Sequence, residues 1–192
     1  MEQYLLTMSS HGYNSFSAPT LLSLERTLWM NGPIDEQQSF QLISALLYLD
    51  SLDCTEITLL IHSAGGSVQE GLTIYDTIRT LKSPVKTVAV GYVASMASVI
   101  LSAGTPGRRF AMPSSTIMIH EPLVSEISYT NVSQIIELGE SLKQTKEQIN
   151  SILAQTTKKD IQIINNDTRQ NKYFTAEEAI QYGLIDGLWD NS

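Results

Sequence analysis

A serine, a histidine and a pair of glycines stand where acyl-transfer chemistry could be assembled. Gly91-Tyr-Val-Ala-Ser95-Met96-Ala97-Ser98 follows a β-branched strand and opens a helix. A serine at such a junction lies beside free backbone N–H groups, which can stabilise an oxyanion. Ala94 and Ala97 keep bulk away from an approaching carbonyl. Serine is also the residue type of an ordinary N-cap or a tight strand–helix crossing. Gly65-Gly66 follows an apolar strand, where a diglycine admits a close ligand or a positive φ, or makes a plain tight turn. His120 closes the apolar stretch STIMIH, and Pro122 biases Glu121 toward extended backbone. Of His11, His62 and His120, only His120 reaches a strand end after the serine strand. A third group would have to orient that histidine. The polar stretch NNDTRQNKYF (165–174) offers Asp167 or Asn171, and residue type leaves open Asp167, Asn171 or neither.

The elements that must position these residues follow from periodicity. Residues 1–18 carry no period and read as a flexible arm. TLLSLERTLWMN (20–31) suggests a short helix and then a strand, stopped at Gly32-Pro33. From Ile34 to Asp50, Phe40, Ile43, Leu46 and Leu47 recur at helical spacing, with Asp35 as a cap. TEITLLIH (55–62) and VKTVAV (85–90) are apolar enough for strands covered on both faces. Between them Val68, Leu72, Tyr75 and Ile78 mark a helix to about Lys82. Gly91 leads into a small-residue helix that Gly104 ends, and STIMIH (115–120) is a third strand. This alternation predicts an α/β fold with a parallel sheet and right-handed crossovers.

Residues 132–158 form the longest predicted helix, roughly 40 Å at 1.5 Å per residue. Ile135, Leu142 and Ile149 repeat every seven residues on an otherwise polar surface. Such a helix is expected to project and pack on another chain, the alternative being that it lies across its own domain. Thr175-Ala-Glu-Glu178 reads as a capping box opening a helix that Gly183 closes, and LIDGLWD reads as a last edge strand.

Composition bounds the function classes. The chain has 192 residues, 42% hydrophobic, with a formal charge of −8. That suits one globular domain spanning 1–192 and argues against nucleic acid as a partner. No stretch approaches the ~20 apolar residues of a membrane span, and the first residues lack a basic signal-peptide region. A soluble, cytoplasmic protein is expected. Cys54, the single cysteine, reads as an inert thiol. No metal-ligand spacing or phosphate-binding loop is present, so no cofactor is expected.

Taken in order, S-A-G-G-S-V, G-Y-V-A-S-M-A-S, M-I-H-E-P and D-T-R-Q-N-K-Y-F-T-A-E-E-A resemble the ClpP family, the proteolytic subunits of the ATP-dependent Clp protease. The resemblance runs from about Leu21 to Trp189. It implies a ClpP/crotonase-like fold, a repeated ββα spiral with a projecting handle at about 124–159, and a serine endopeptidase. Carried over residue by residue, it implies Ser95 as nucleophile, His120 as general base, and the N–H groups of Gly66 and Met96 as oxyanion hole. It implies that Gly65, Ser67, Val68, Pro122 and Leu123 hold substrate as an added strand. It also implies stacked heptameric rings (a tetradecamer), unfolded protein substrates, and an AAA+ unfoldase such as ClpX, ClpC or ClpA that alone would use ATP. The family pattern D-T-x-R-D places the first acid at Asp167, and the position that orients the histidine is Asn171. At the docking face, TLL (58–60) and Thr80 occupy positions that are often aromatic, while Phe110 is retained. These departures imply a weakened Ser95–His120–Asn171 triad and a divergent paralogue working with a second ClpP subunit. A catalytically silent ring subunit is the alternative reading.

Overall fold

The computed structural model describes residues 4–9, 12–124 and 131–189. Tyr4–Ser9 (β1) and Gly12–Ser17 (β2) pair antiparallel, so the arm expected to be irregular is a hairpin where it is described. Ser17 caps α1 (Ala18–Leu24), and β3 (Thr27–Asn31) follows. The Asp35 carboxylate accepts from Gln38 N at 2.8 Å and starts α2 (Glu36–Leu52). The face of α2 that meets the core is Ser39, Leu42, Leu46 and Leu49. Phe40 and Leu47, expected there, are 72% and 51% exposed. Two neighbouring stripes of this helix are apolar, and its spacing does not say which one turns toward the sheet.

β4 (Ile57–Ser63), α3 (Val68–Thr80), β5 (Val85–Ala94) and α4 (Met96–Ser102) come next, followed by β6 (Arg109–Ala111) and β7 (Thr116–Ile119). Then come α5 (Val132–Thr157), α6 (Ile161–Asp167), β8 (Lys172–Thr175), α7 (Ala176–Tyr182) and β9 (Gly187–Leu188). The polar stretch at 165 thus begins inside a helix rather than a loop. Thr175 and Glu178 form the expected capping box.

Strands β3-β4-β5-β6-β9 run parallel. The sheet divides at β5, which continues past Gly91 instead of ending there. Its first half pairs β6 through Thr87–Ala89, and its second half pairs β7 through Tyr92–Ala94. β8 then adds antiparallel to β7. Parallel strands buried on both faces need near-continuous apolar side chains, and Ile57, Leu59 and Ile61 on β4 are fully buried. Ile74, Ile100, Leu101 and Ile117 close the core around them, each such side chain contributing about 1.5–3 kcal/mol.

α5 is buried only toward its end, at Ile149, Asn150, Leu153 and Thr157. Val132, Ile135 and Ile136 near its start are more than half exposed. No helix among the described residues is long and apolar enough to cross a membrane.

Candidate active site

β5 and β7 are parallel, with Ala94 level with Met118, so both chains leave the sheet on the same edge. That is where ligands bind in α/β proteins. Ser95 N donates to Met118 O at 2.9 Å. Beneath it, the buried Ser98 Oγ lies 2.6 Å from Met118 O and 3.1 Å from Val93 O, tying the two strand ends together. Ser95 itself has φ 58° and ψ −128°, a left-sided conformation that costs a non-glycine residue about 1–3 kcal/mol. Such a strained strand-to-helix turn lifts a serine hydroxyl clear of the backbone.

His120 Nε2 is 2.8 Å from Ser95 Oγ. The hydroxyl donates to Nε2 when the ring proton sits on Nδ1. Among the described residues Nδ1 has no hydrogen-bond partner. The β7–β8 register pairs Ile119 with Lys172, and one further antiparallel step sets Asn171 opposite His120. The ladder ends before that step. Asn171 is exposed and makes no hydrogen bond to His120 among the described residues. Asp167 points elsewhere, accepting from Tyr182 Oη at 2.7 Å and pairing with Lys172 Nζ at 2.6 Å. Burial raises the Asp167 carboxyl, but Lys172 and Tyr182 more than offset this and hold it below the usual carboxylate range. Burial, then Asp167, pushes the Tyr182 phenol far above its ordinary value.

The diglycine closes the other side. Gly65 has φ +93°, and a Cβ there would stand 2.7 Å from Ser95 Cβ and 2.8 Å from Ala94 O. A Cβ on Gly66 would run into the Ile34 backbone. Ile34 N donates to Gly65 O, Ser67 N donates to Ile34 O, and Gly65 N donates to Ser63 Oγ. These bonds fix the turn and leave Gly66 N–H out. Among the described residues, neither Gly66 N–H nor Met96 N–H, the latter at the head of α4, donates to another group. Donors held in this way are available to an oxyanion.

Val68, Val99, Ile119, Pro122, Ile149 and Leu153 line an apolar pocket beside Ser95 and His120. Its free space is about 10 Å³, close to the room one water requires. Of the other residues expected to hold substrate, Ser67 caps α3 and Leu123 is 66% exposed. A larger groove of about 490 Å³ lies between Trp29 and α2 and includes none of these residues. No group of three metal-type side chains occurs among the described residues.

Sequence reasoning missed the contacts behind His120. Glu121 N donates to Thr168 O at 2.7 Å, Lys146 Nζ lies 2.5 Å from Glu121 Oε2, and Asn150 Nδ2 donates to Thr168 Oγ1. The one available signal was polar Asn150 beside Ile149 on the face of α5 that also carries Leu153.

Residues 10–192 match the family model described as Clp protease. A protein of Ligilactobacillus salivarius (strain UCC118), named ATP-dependent Clp protease proteolytic subunit, is 39% identical over 188 residues, 97% of this chain and 94% of that protein. A protein of the same name from Leuconostoc citreum (strain KM20) is 33% identical over 189 residues, 98% of this chain and 94% of that one. The chain belongs to the Clp protease family and is, as a member of it, a serine-type endopeptidase.

Proposed function

We propose that this chain cuts unfolded polypeptide with Ser95 as nucleophile and His120 as general base. The observation that carries the reading is the 2.8 Å contact between Ser95 Oγ and His120 Nε2 at the head of α4. An extended substrate lies between Gly65–Val68 on one side and Pro122–Leu123 on the other, as an added strand. One apolar side chain faces Val99 and Leu153. His120 takes the Ser95 proton as Oγ attacks the scissile carbonyl, and the N–H groups of Gly66 and Met96 hold the resulting oxyanion. The proton then passes to the leaving amine, and water releases the acyl group with His120 again as base. No step is routed through a cofactor, and ATP use falls to a partner unfoldase such as ClpX, ClpC or ClpA.

Asn171 stands at the position of the orienting acid without a full charge, so the triad is weak. A carboxylate stabilises the imidazolium that forms when Ser95 loses its proton, whereas an amide offers at most a hydrogen bond. The exposed Val132, Ile135 and Ile136 of α5 suit a handle that joins stacked seven-membered rings. TLL (58–60) and Thr80, where aromatic residues are common in the family, make a poor docking face. A mixed barrel with a complete second subunit follows from both departures. Mixing this chain with such a subunit should raise the peptidase rate per site, and equal rates alone and mixed would sink the mixed barrel.

Acylation of the purified chain by a fluorophosphonate tests the site itself. Labelling is expected on Ser95 and on no other serine, and Ser95→Ala should abolish both labelling and peptide cleavage. The absence of a hydrogen bond between Asn171 and His120 favours a second reading, a silent ring subunit that shapes or gates an active partner. Under it, Ser95 resists the probe and Ser95→Ala changes nothing in the mixed particle.

A further inference from the structure

We propose that Lys146 and Asn150 of α5 are positioning residues for His120, acting through Glu121 and Thr168. The inference rests on His120 being the base. Its Nδ1 has no partner among the described residues, so the ring is aimed by its contact to Ser95 and by the backbone that carries it. That backbone is held at the very next residue, where Glu121 N–H donates to Thr168 O at 2.7 Å.

Thr168 is in turn fixed from α5. It is fully buried, its hydroxyl donates to Ile164 O at 2.9 Å, and the same oxygen accepts from Asn150 Nδ2 at 3.1 Å. Asn150 is fully buried too, and its Nδ2 also donates to Asn165 Oδ1 at 2.7 Å. Its own Oδ1 has no partner among the described residues. An orphaned buried acceptor costs stability, and an apolar side chain would fill the same place without that cost. A role limited to packing does not account for an amide here; a role in holding Thr168 does.

Lys146 supplies the second grip. It stands four residues before Asn150 and so shares its face of the helix. Its Nζ lies 2.5 Å from Glu121 Oε2, a buried oxygen that has no hydrogen-bond partner among the described residues and is held by this ion pair alone. One turn of α5 therefore holds the residue after His120 twice: directly by charge, and through Thr168 by a hydrogen bond to its backbone. Between the two grips, Ile149 lines the pocket beside Ser95. Loosening either grip frees Glu121 and lets the imidazole drift from Ser95 Oγ, where small displacements are costly to proton transfer.

The test is the maximal rate and half-saturating concentration for acylation of Ser95 by a fluorophosphonate, measured on the full chain. Lys146 and Glu121 are both partly exposed, so Lys146→Met should fold, which a thermal melt and particle size would check. Lys146→Met should lower the maximal rate about tenfold with the half-saturating concentration unchanged, and Lys146→Arg should return it to within about twofold. Asn150→Leu should keep or raise the melting temperature while lowering the rate to a similar degree. An unchanged maximal rate in Lys146→Met and Asn150→Leu, or a change confined to half-saturation, overturns the proposal and leaves the Ser95–His120 reading standing. Failure of the unaltered chain to acylate at Ser95 overturns that reading, and this proposal with it.

Discussion

Toward Ser95, the His120 ring meets a hydroxyl on backbone bonded to Met118 and tied underneath by Ser98, at 2.8 Å. On the other side, Asn171 is an exposed residue that the β7–β8 register would set opposite His120 one step past its last rung, and no hydrogen bond joins the two. The two sides are made in different ways. The first is a product of the fold, because parallel strands ending level and a helix starting at once place the serine, the histidine and the free N–H groups together. The second depends on a single side chain on a short connection. A substitution there removes charge without disturbing any buried contact.

The largest expected effect restores the missing side. Asn171→Asp should raise peptide cleavage, with a ceiling of about 10⁴-fold set by the reverse change in a serine protease triad. That is about 5.5 kcal/mol of barrier. The increase should appear in kcat at an unchanged melting temperature, since Asn171 is exposed. An unchanged kcat would mean that the bare side is not what limits the enzyme.

The next effect damages the built side. Gly65→Ala places a methyl against Ser95 Cβ and Ala94 O at a backbone φ of +93° that alanine resists. The turn must shift, carrying Gly66 N–H with it. Loss of one oxyanion donor costs about 10²–10³-fold in turnover. Single-turnover acylation and deacylation rates should both fall, because each step passes through an oxyanion. Loss in only one of them would remove Gly66 N–H from the oxyanion hole.

The same contrast explains what could be read from the sequence. Local signals were legible: the Asp35 cap, the Thr175–Glu178 capping box, the buried strands around Leu59 and Val88, and the length of α5. Ser95 and His120 were legible as strand-end residues. The left-sided φ of Ser95 was not, because it arises where β5, β7 and α4 converge and has no sequence signature beyond small neighbours. β6 is three residues long and buries alongside Arg109, so it lacks a period to detect. The choice between the Leu42 and Phe40 faces of α2 depends on the angle at which that helix meets the sheet. The grip of Lys146 and Asn150 on Glu121 and Thr168 joins segments far apart in sequence, through side chains that read singly as surface polar residues.

The smallest effect separates the two candidates, Asp167 and Asn171, that the 165–174 stretch offers. Asp167 bonds Tyr182 and Lys172 instead of facing His120, so Asp167→Asn should leave kcat within about twofold while costing about 1–2 kcal/mol of stability by urea unfolding. Its pH dependence has a definite sign. The folded carboxyl is held below its ordinary 3.8 because Lys172 and Tyr182 outweigh burial, so the unfolded chain binds the proton more readily. The stability contributed is therefore present in full above the unfolded value and is lost as pH falls through the lower folded one. The gap between the unaltered chain and Asp167→Asn should stay level from neutral pH to about 4 and close below it. A loss of 10³-fold or more in kcat with the stability gap intact would make Asp167 the group that serves His120, and the contrast between a built side and a bare side would fall.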